Sequence, residues 1–281
     1  MFHPFLRLIR FDKPIGSLLL FYPTIISLFM AKHGIPADTL LLIFTIEIFL
    51  TRSAGCIIND ILDVKFDKYV MRTKARVLVL NQLSIKSAWI YFITLLIIAG
   101  IIAVIYLKAV TILLTVPALI LLSTYPLMKR IIFCPQLYLG IAFSFGILMG
   151  FIEITGTITI TAWELFGANL FWVVGYDTIY ALCDIKDDMK LKVHSLAIFS
   201  GKYVNIVIFF SYLLHILLMI DIGMSQHYSK YYFLGIVIAS IFLIYQIIQL
   251  YKKDTQQHLQ LFLLNNLVGM VEFIFIVYEM L

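Results

Sequence analysis

Apolar runs and short polar breaks alternate along the whole chain, with runs at 15–31, 40–58, 87–107, 109–127, 137–154, 165–183, 203–222, 231–250 and 260–280. Each holds about 18–22 residues, enough to cross a hydrocarbon core about 30 Å thick as a helix. Within one such segment only a helix satisfies its own backbone hydrogen bonds, so the pattern predicts an all-α polytopic membrane protein with nine transmembrane helices. The faintest break is the one at Lys108, between the third and fourth runs. No linker or low-complexity stretch interrupts the series, which predicts a single transmembrane domain over 1–281. A basic start (Arg7, Arg10, Lys13) precedes the first run and no A-x-A cleavage site follows it, so that run reads as a retained span.

Two polar breaks are longer than the rest, about 59–86 and 184–202, in corresponding places after spans 2 and 6. With nine spans they share a side with the amino-terminal tail and the loops after spans 4 and 8. Of the 21 lysines and arginines only Lys32, Lys108 and Lys230 fall on the other side. By the positive-inside rule the tail and both long loops are cytoplasmic, which predicts an integral protein of a bacterial inner membrane with a cytoplasmic amino terminus. Composition agrees: 62% of residues are hydrophobic, 13% are charged and the mean hydropathy is +1.01. A soluble domain carries roughly twice that charged fraction. The net charge of +5 is spread over the loops and forms no basic domain, so no nucleic-acid partner is expected. Cys56, Cys134 and Cys183 are odd in number and scattered, implying neither a disulfide framework nor a zinc site.

The candidate chemistry lies in those two long loops. Asn59, Asp63 and Asp67 recur every four residues and share about 80° of a helix face, with Asp60 at its edge. In the second loop Asp184 and Asp188 are likewise four apart, Asp187 is adjacent, and Asp177 lies two turns earlier on the same side. Intramembrane acids face cavities and mark function. Two facing carboxylate clusters repel unless a positive charge sits between them. Mg²⁺, held by a few carboxylates together with substrate phosphates, is the ion this oxygen set predicts. The predicted metal ligands are Asn59, Asp60, Asp63, Asp67, Asp184, Asp187 and Asp188, and the predicted substrate is a lipid diphosphate.

A diphosphate also needs cationic donors. Arg10, Lys68, Arg72, Lys129, Arg130 and Lys190 surround the acids and, with Asp177, are the candidate substrate-binding residues; each cation alone also reads as a positive-inside anchor. Arg52 lies about two turns inside from Asp60 on an apolar helix. It reads as a substrate-facing catalytic residue, with snorkelling or pairing to Glu47 as the alternatives. Gly146 and Gly150 form a G-x-x-x-G packing surface. His194 and His215 are not spaced as metal ligands.

These residues resemble the UbiA family of intramembrane prenyltransferases, most of all its 4-hydroxybenzoate polyprenyltransferase branch. The family's N-D-x-x-D-x-x-x-D stands complete as Asn59, Asp60, Asp63 and Asp67, followed by Arg72 and Thr73. The opening Arg10-Phe11-Asp12-Lys13-Pro14-Ile15-Gly16-Ser17 is similar too, as are Tyr125-Pro126-Leu127-Met128-Lys129-Arg130 and Tyr176-Asp177-Thr178. Departures cluster in the loops. R-P-L reads Arg76-Val77-Leu78, the second motif has Lys186 where an acid is usual, and G-x-K-S-T reads Lys192-Val193-His194-Ser195-Leu196. The resemblance implies helices around a central cavity closed by two cytoplasmic motif loops. It also implies a polyprenyl diphosphate donor, a small aromatic acid acceptor and a product for ubiquinone synthesis.

The reading is Mg²⁺-dependent transfer of a polyprenyl chain to the ring of 4-hydroxybenzoate, with Asp184 a catalytic candidate for orienting the phenol. Within the family, menaquinone, haem and chlorophyll precursors are alternative acceptors. From another class, a divalent-cation transporter also accounts for acids at a membrane, but not for their confinement to one side among phosphate-type cations.

Overall fold

The structure is a computed structural model that describes residues 3–252 and 257–281. Lys253, counted above with the cytoplasmic cations, lies outside the described residues. All regular elements among the described residues are helical: α1 (Pro4–Leu8), α2 (Ile15–Lys32), α3 (Asp38–Asp67), α4 (Ile85–Tyr106), α5 (Ala109–Met128), α6 (Pro135–Thr155), α7 (Ile160–Leu182), α8 (Ile185–Leu191), α9 (Leu196–Ser200), α10 (Val204–Ser225), α11 (Lys230–Tyr251) and α12 (His258–Met280). A 3₁₀ turn, Gly201–Tyr203, joins α9 to α10.

Every predicted apolar run coincides with a long helix, yet the expected count of nine apolar spans needs correction. Among the described residues, eight helices are long and apolar enough to cross a membrane by length and composition, and α7 is not among them. It has the length, at 23 residues, but carries Glu164, Asn169, Tyr176 and Asp177. The physical reason is its position. Trp172 to Ile179 are buried without interruption, whereas α5 buries only Thr111 and Pro126. A helix that meets protein on every side has no need of a lipid-facing composition.

Close packing and buried polar contacts fix α7 at the centre. Its Trp172 Nε1 donates to Asn265 Oδ1 of α12 at 3.0 Å, and Asn265 Nδ2 donates to Gln246 Oε1 of α11 at 3.0 Å. His215 of α10 bonds Glu272 of α12 at 2.8 Å and the Ala168 carbonyl of α7 at 3.0 Å. Such interhelical hydrogen bonds join helices where hydrophobic burial alone does not distinguish protein from lipid. The G-x-x-x-G surface packs as expected: a side chain at Gly146 would strike Thr24 of α2, and one at Gly150 would strike Ser27.

The second departure is the length of α3. Thirty residues make about 45 Å of helix, about 15 Å more than the hydrocarbon core needs. Span 2 and the first acidic motif are therefore one continuous rod, and the helix geometry of the motif is set inside the bilayer. The chain after Asp67 folds back in turns. Val77 and Leu78 are buried, and Leu78 packs with Leu8, Ile57, Ile61 and Phe92. Those apolar residues pin the loop over the end of the bundle.

Candidate active site

Both acidic motifs open onto one hollow of about 220 Å³ at the end of the bundle. A larger one, about 730 Å³, shares Arg10, Arg52, Arg72, Arg76, Phe143, Asp177 and Tyr180 with it and extends between α2 and α12 along Leu19, Phe262 and Leu263. A third, about 160 Å³ and mostly apolar, lies among α2 to α6 and meets the first at Arg52, Leu122 and Phe143. The expected central cavity is therefore polar at the motif end and apolar deeper in the bundle.

The first motif reaches the cavity because α3 holds its one-faced spacing to the last turn. Asn59, Asp60, Asp63 and Asp67 all line it, and Asp184, Asp188 and Asp177 face them from the end of α7 and from α8. Three of the first-motif acids and one of the second are engaged by arginines. Arg10 Nη2 donates to both oxygens of Asp60, at 2.6 and 2.9 Å, and Arg130 Nη2 to Asp63 Oδ1 at 2.8 Å. Arg76 Nη1 donates to Asp67 Oδ2 at 2.5 Å and lies 3.2 Å from Asp60. Arg72 crosses between the motifs: its Nε is 3.0 Å from both oxygens of Asp184, its Nη2 also pairs with that carboxylate, and its Nη1 donates to the Tyr180 hydroxyl. Arginines thus supply positive charge between the acid clusters.

Asp188 has no such bond. Burial, and then the neighbouring Asp184 charge, push its carboxyl up to about 6 against the opposing pull of Lys129 and Arg72. Asp177, buried at 8% exposure, accepts from the Tyr125 hydroxyl at 3.3 Å. Lys129 lines the cavity with its Nζ 5.0 Å from the Tyr125 ring. Arg52 also lines it, with its guanidinium 5.7 Å from the Phe143 ring, and forms no ion pair with Glu47 among the described residues.

Three candidates lie apart. Lys68 sits 4.8 Å over the Tyr69 ring, outside the cavity wall. Lys190 is largely exposed and pairs at 3.7 Å with Asp187, whose carboxylate accepts the Met71 N–H instead of lining the hollow. Lys186 is exposed as well. Sequence reasoning missed Arg76, Tyr125 and Tyr180. Tyr180 is four residues before Asp184 and four after Tyr176, so its helical register was available; Arg76 arrives through irregular loop turns that carry no period.

Among the described residues, no three His, Cys, Asp or Glu side chains approach closely enough to hold a metal ion by themselves. The donor chemistry nevertheless fits Mg²⁺, since all the cavity acids offer hard oxygens and such an ion takes part of its coordination from phosphates and water.

A helical membrane bundle that faces paired acids and arginines across a cavity, with apolar hollows behind them, has the architecture of an intramembrane prenyltransferase. The UbiA prenyltransferase family model matches residues 20–267, and the chain belongs to that family. It is 42% identical over 270 residues to the 4-hydroxybenzoate octaprenyltransferase of Tolumonas auensis, covering 96% of this chain and 94% of that one. It is 40% identical over 276 residues to the 4-hydroxybenzoate octaprenyltransferase of Francisella tularensis subsp. novicida, covering 98% and 96%. The fold matches an apo UbiA homologue from Aeropyrum pernix K1 with a TM-score of 0.84 at 22% identity, over 95% of this chain and 99% of that one. A UbiA homologue from Archaeoglobus fulgidus bound to GPP and Mg²⁺ matches with a TM-score of 0.70 at 16% identity, over 99% and 98%.

Proposed function

We propose that this chain is a single-domain bacterial inner-membrane enzyme that transfers a polyprenyl group from its diphosphate to the ring of 4-hydroxybenzoate, with Mg²⁺, for ubiquinone synthesis. The observation that carries the reading is the set of arginine-held acids from α3 and α7–α8 on one cavity wall. The relatives above, similar over almost their whole length, support the choice of donor and acceptor.

Asn59, Asp60, Asp63, Asp67, Asp184 and Asp188 would hold Mg²⁺, with Asp187 at the margin of the set. Such an ion, when bound, would supply charge neutralisation for the diphosphate and for the charge it carries away. Arg10, Arg72, Arg76, Arg130 and Lys129 are the donors for the phosphate oxygens, an exchange of carboxylate for phosphate that keeps their charge-assisted bonds. The prenyl tail takes the apolar hollows, where little water competes for an allylic cation. Tyr125, Tyr180 and Phe143 line the hollow, and their aromatic rings would stabilise that charge. The C1–O bond breaks with its electron pair leaving on the diphosphate. The ring carbon ortho to the hydroxyl then attacks C1 to form the new C–C bond, and its proton passes to a nearby base, the released diphosphate being one at hand. Asp184 orients the phenol, and Arg52 faces the acceptor.

The confined position of the acids supports transfer over cation transport. At the opposite end Glu153 is already bound by the Lys108 N–H at 3.0 Å and the Thr111 hydroxyl at 2.5 Å. The test is to incubate membranes containing the purified chain with labelled polyprenyl diphosphate and a panel of aromatic acceptors. Label should enter 4-hydroxybenzoate, stop on chelation and return with Mg²⁺. Label entering a menaquinone or haem precursor instead would overturn the acceptor, and full activity in chelator would overturn the metal.

A further inference from the structure

Two buried donors in the cavity have no partner among the described residues: the Tyr176 hydroxyl and Arg52 Nε. Tyr176 is only 2% exposed, and both residues line the larger hollow beside Asp177 and Phe143. A hydroxyl or guanidinium N–H taken out of water without a partner costs free energy that a bound group returns. The other cavity arginines, Arg10, Arg72, Arg76 and Arg130, each hold an acid, whereas Arg52 has no ion pair or hydrogen bond among the described residues. Both line the same hollow with Phe143 and Asp177, so the two donors share one region. A half-buried cation and a neutral O–H donor, closed on one side by the Phe143 ring, suit one small anion with two oxygens.

Their depth says which anion. Arg52 precedes Asn59 by seven residues on α3, and Tyr176 lies six residues before α7 ends at Leu182, with Asp184 beyond that end, so both donors lie about 10 Å deeper than Asn59 and Asp184. An anion there is separated from the diphosphate level by room for one aromatic ring. We propose that Tyr176 is a specificity residue for the acceptor, its hydroxyl donating to the ring carboxylate beside Arg52, and that Gly16 is a positioning residue for Arg52. A Cβ at Gly16 would lie 2.5 Å from Arg52 Nη2, 2.9 Å from Nε and 3.1 Å from Cζ. The guanidinium packs directly on the start of α2, and any side chain there displaces it without moving backbone.

This inference rests on prenyl transfer to a hydroxybenzoate, and the experiment separates the two. The full chain in liposomes is given saturating polyprenyl diphosphate and either 4-hydroxybenzoate or 4-hydroxybenzamide, which lacks the carboxylate. Tyr176→Phe should raise the KM for 4-hydroxybenzoate about tenfold, equivalent to a charge-assisted hydrogen bond worth about 1.4 kcal/mol. The KM for the prenyl diphosphate and for the benzamide should stay unchanged. Gly16→Ala should show the same split, and adding it to Tyr176→Phe should raise the KM by less than the product of the two factors. An unchanged acceptor KM in Tyr176→Phe, or equal losses with both acceptors, overturns the assignment. Prenylation by the unsubstituted chain of neither acceptor overturns the parent reading and this one with it.

Discussion

Lys192 ends α8 in the left-handed region, at φ +54°. The related motif has glycine at this place, and the backbone explains it, since a residue with a Cβ pays about 1 kcal/mol to sit there. Lys192→Gly should therefore stabilise the detergent-solubilised protein by about 1 kcal/mol, read as a higher Tm. A lower Tm would mean that the lysine side chain makes contacts that outweigh the strain. Asp188 gives a different kind of prediction. With its carboxyl pushed up to about 6, proton and Mg²⁺ compete for the same oxygens in the range where activity is assayed. The sign follows: protonation on acidification removes a ligand, so the Mg²⁺ concentration for half-maximal transfer should be flat above about pH 7 and rise as pH falls through about 6. Metal titrations across pH 5.5–7.5 check this (roughly the range over which such a carboxyl changes charge); a flat profile would place Asp188 outside the ligand set. For the acids that carry both motifs, Asp63→Ala, Asp67→Ala, Asp184→Ala and Asp188→Ala should each abolish transfer in protein that still inserts and folds, and near-normal turnover in Asp63→Ala would remove the metal mechanism.

At the scale of elements, the motif loops are joined before any substrate arrives. Arg72 reaches Asp184 and Tyr180 across the cavity, and the Met71 N–H donates to Asp187 at 3.1 Å, so the turns after α3 and the start of α8 form one lid. Arg72→Ala should free it. Backbone amide exchange over residues 69–76 should quicken about tenfold, as loss of contacts worth about 1.4 kcal/mol implies, while the buried tract Trp172–Ile179 keeps its protection. Unchanged exchange would show that Val77 and Leu78 alone hold the lid down. This level of organisation was only partly legible in the sequence. The acids were readable because a helical period carries them, and that period continues unbroken to Asp67. Arg10, Arg72 and Arg130 were readable as cations near the acids. Lys68, Lys190 and Asp187 were indistinguishable from them by position, because a loop gives no register with which to tell an inward side chain from an outward one. Arg76, visible only as part of the R-P-L resemblance, had no register for the same reason: eight irregular residues, 68–75, bring it back to Asp67.

At the scale of the whole molecule, hydropathy locates the helices well because the bilayer imposes one demand on every lipid-facing segment. It locates α7 too, as the run 165–183, but that helix falls short of a lipid-facing composition because its surroundings are protein and its sequence is free to carry Asn169, Tyr176 and Asp177. The helix that hydropathy reads least clearly is the one that builds the cavity. Its inclusion decides topology. Consecutive long helices cross in opposite directions, so leaving α7 out would reverse the ends of α10 to α12 against their charges, and the first and second acidic motifs would lie on opposite sides of the membrane. With α7 as a crossing, the two motifs meet, as Arg72 and Asp184 do, and among the described lysines and arginines only Lys32, Lys108 and Lys230 fall at the other end. The prediction is a cytoplasmic amino terminus and an outward carboxyl terminus. Reporter fusions after residue 70, after residue 190 and at Leu281 should report cytoplasm, cytoplasm and periplasm. A cytoplasmic signal at Leu281 would mean an even number of crossings, and a split between the first two fusions would separate acids that the cavity requires to face each other.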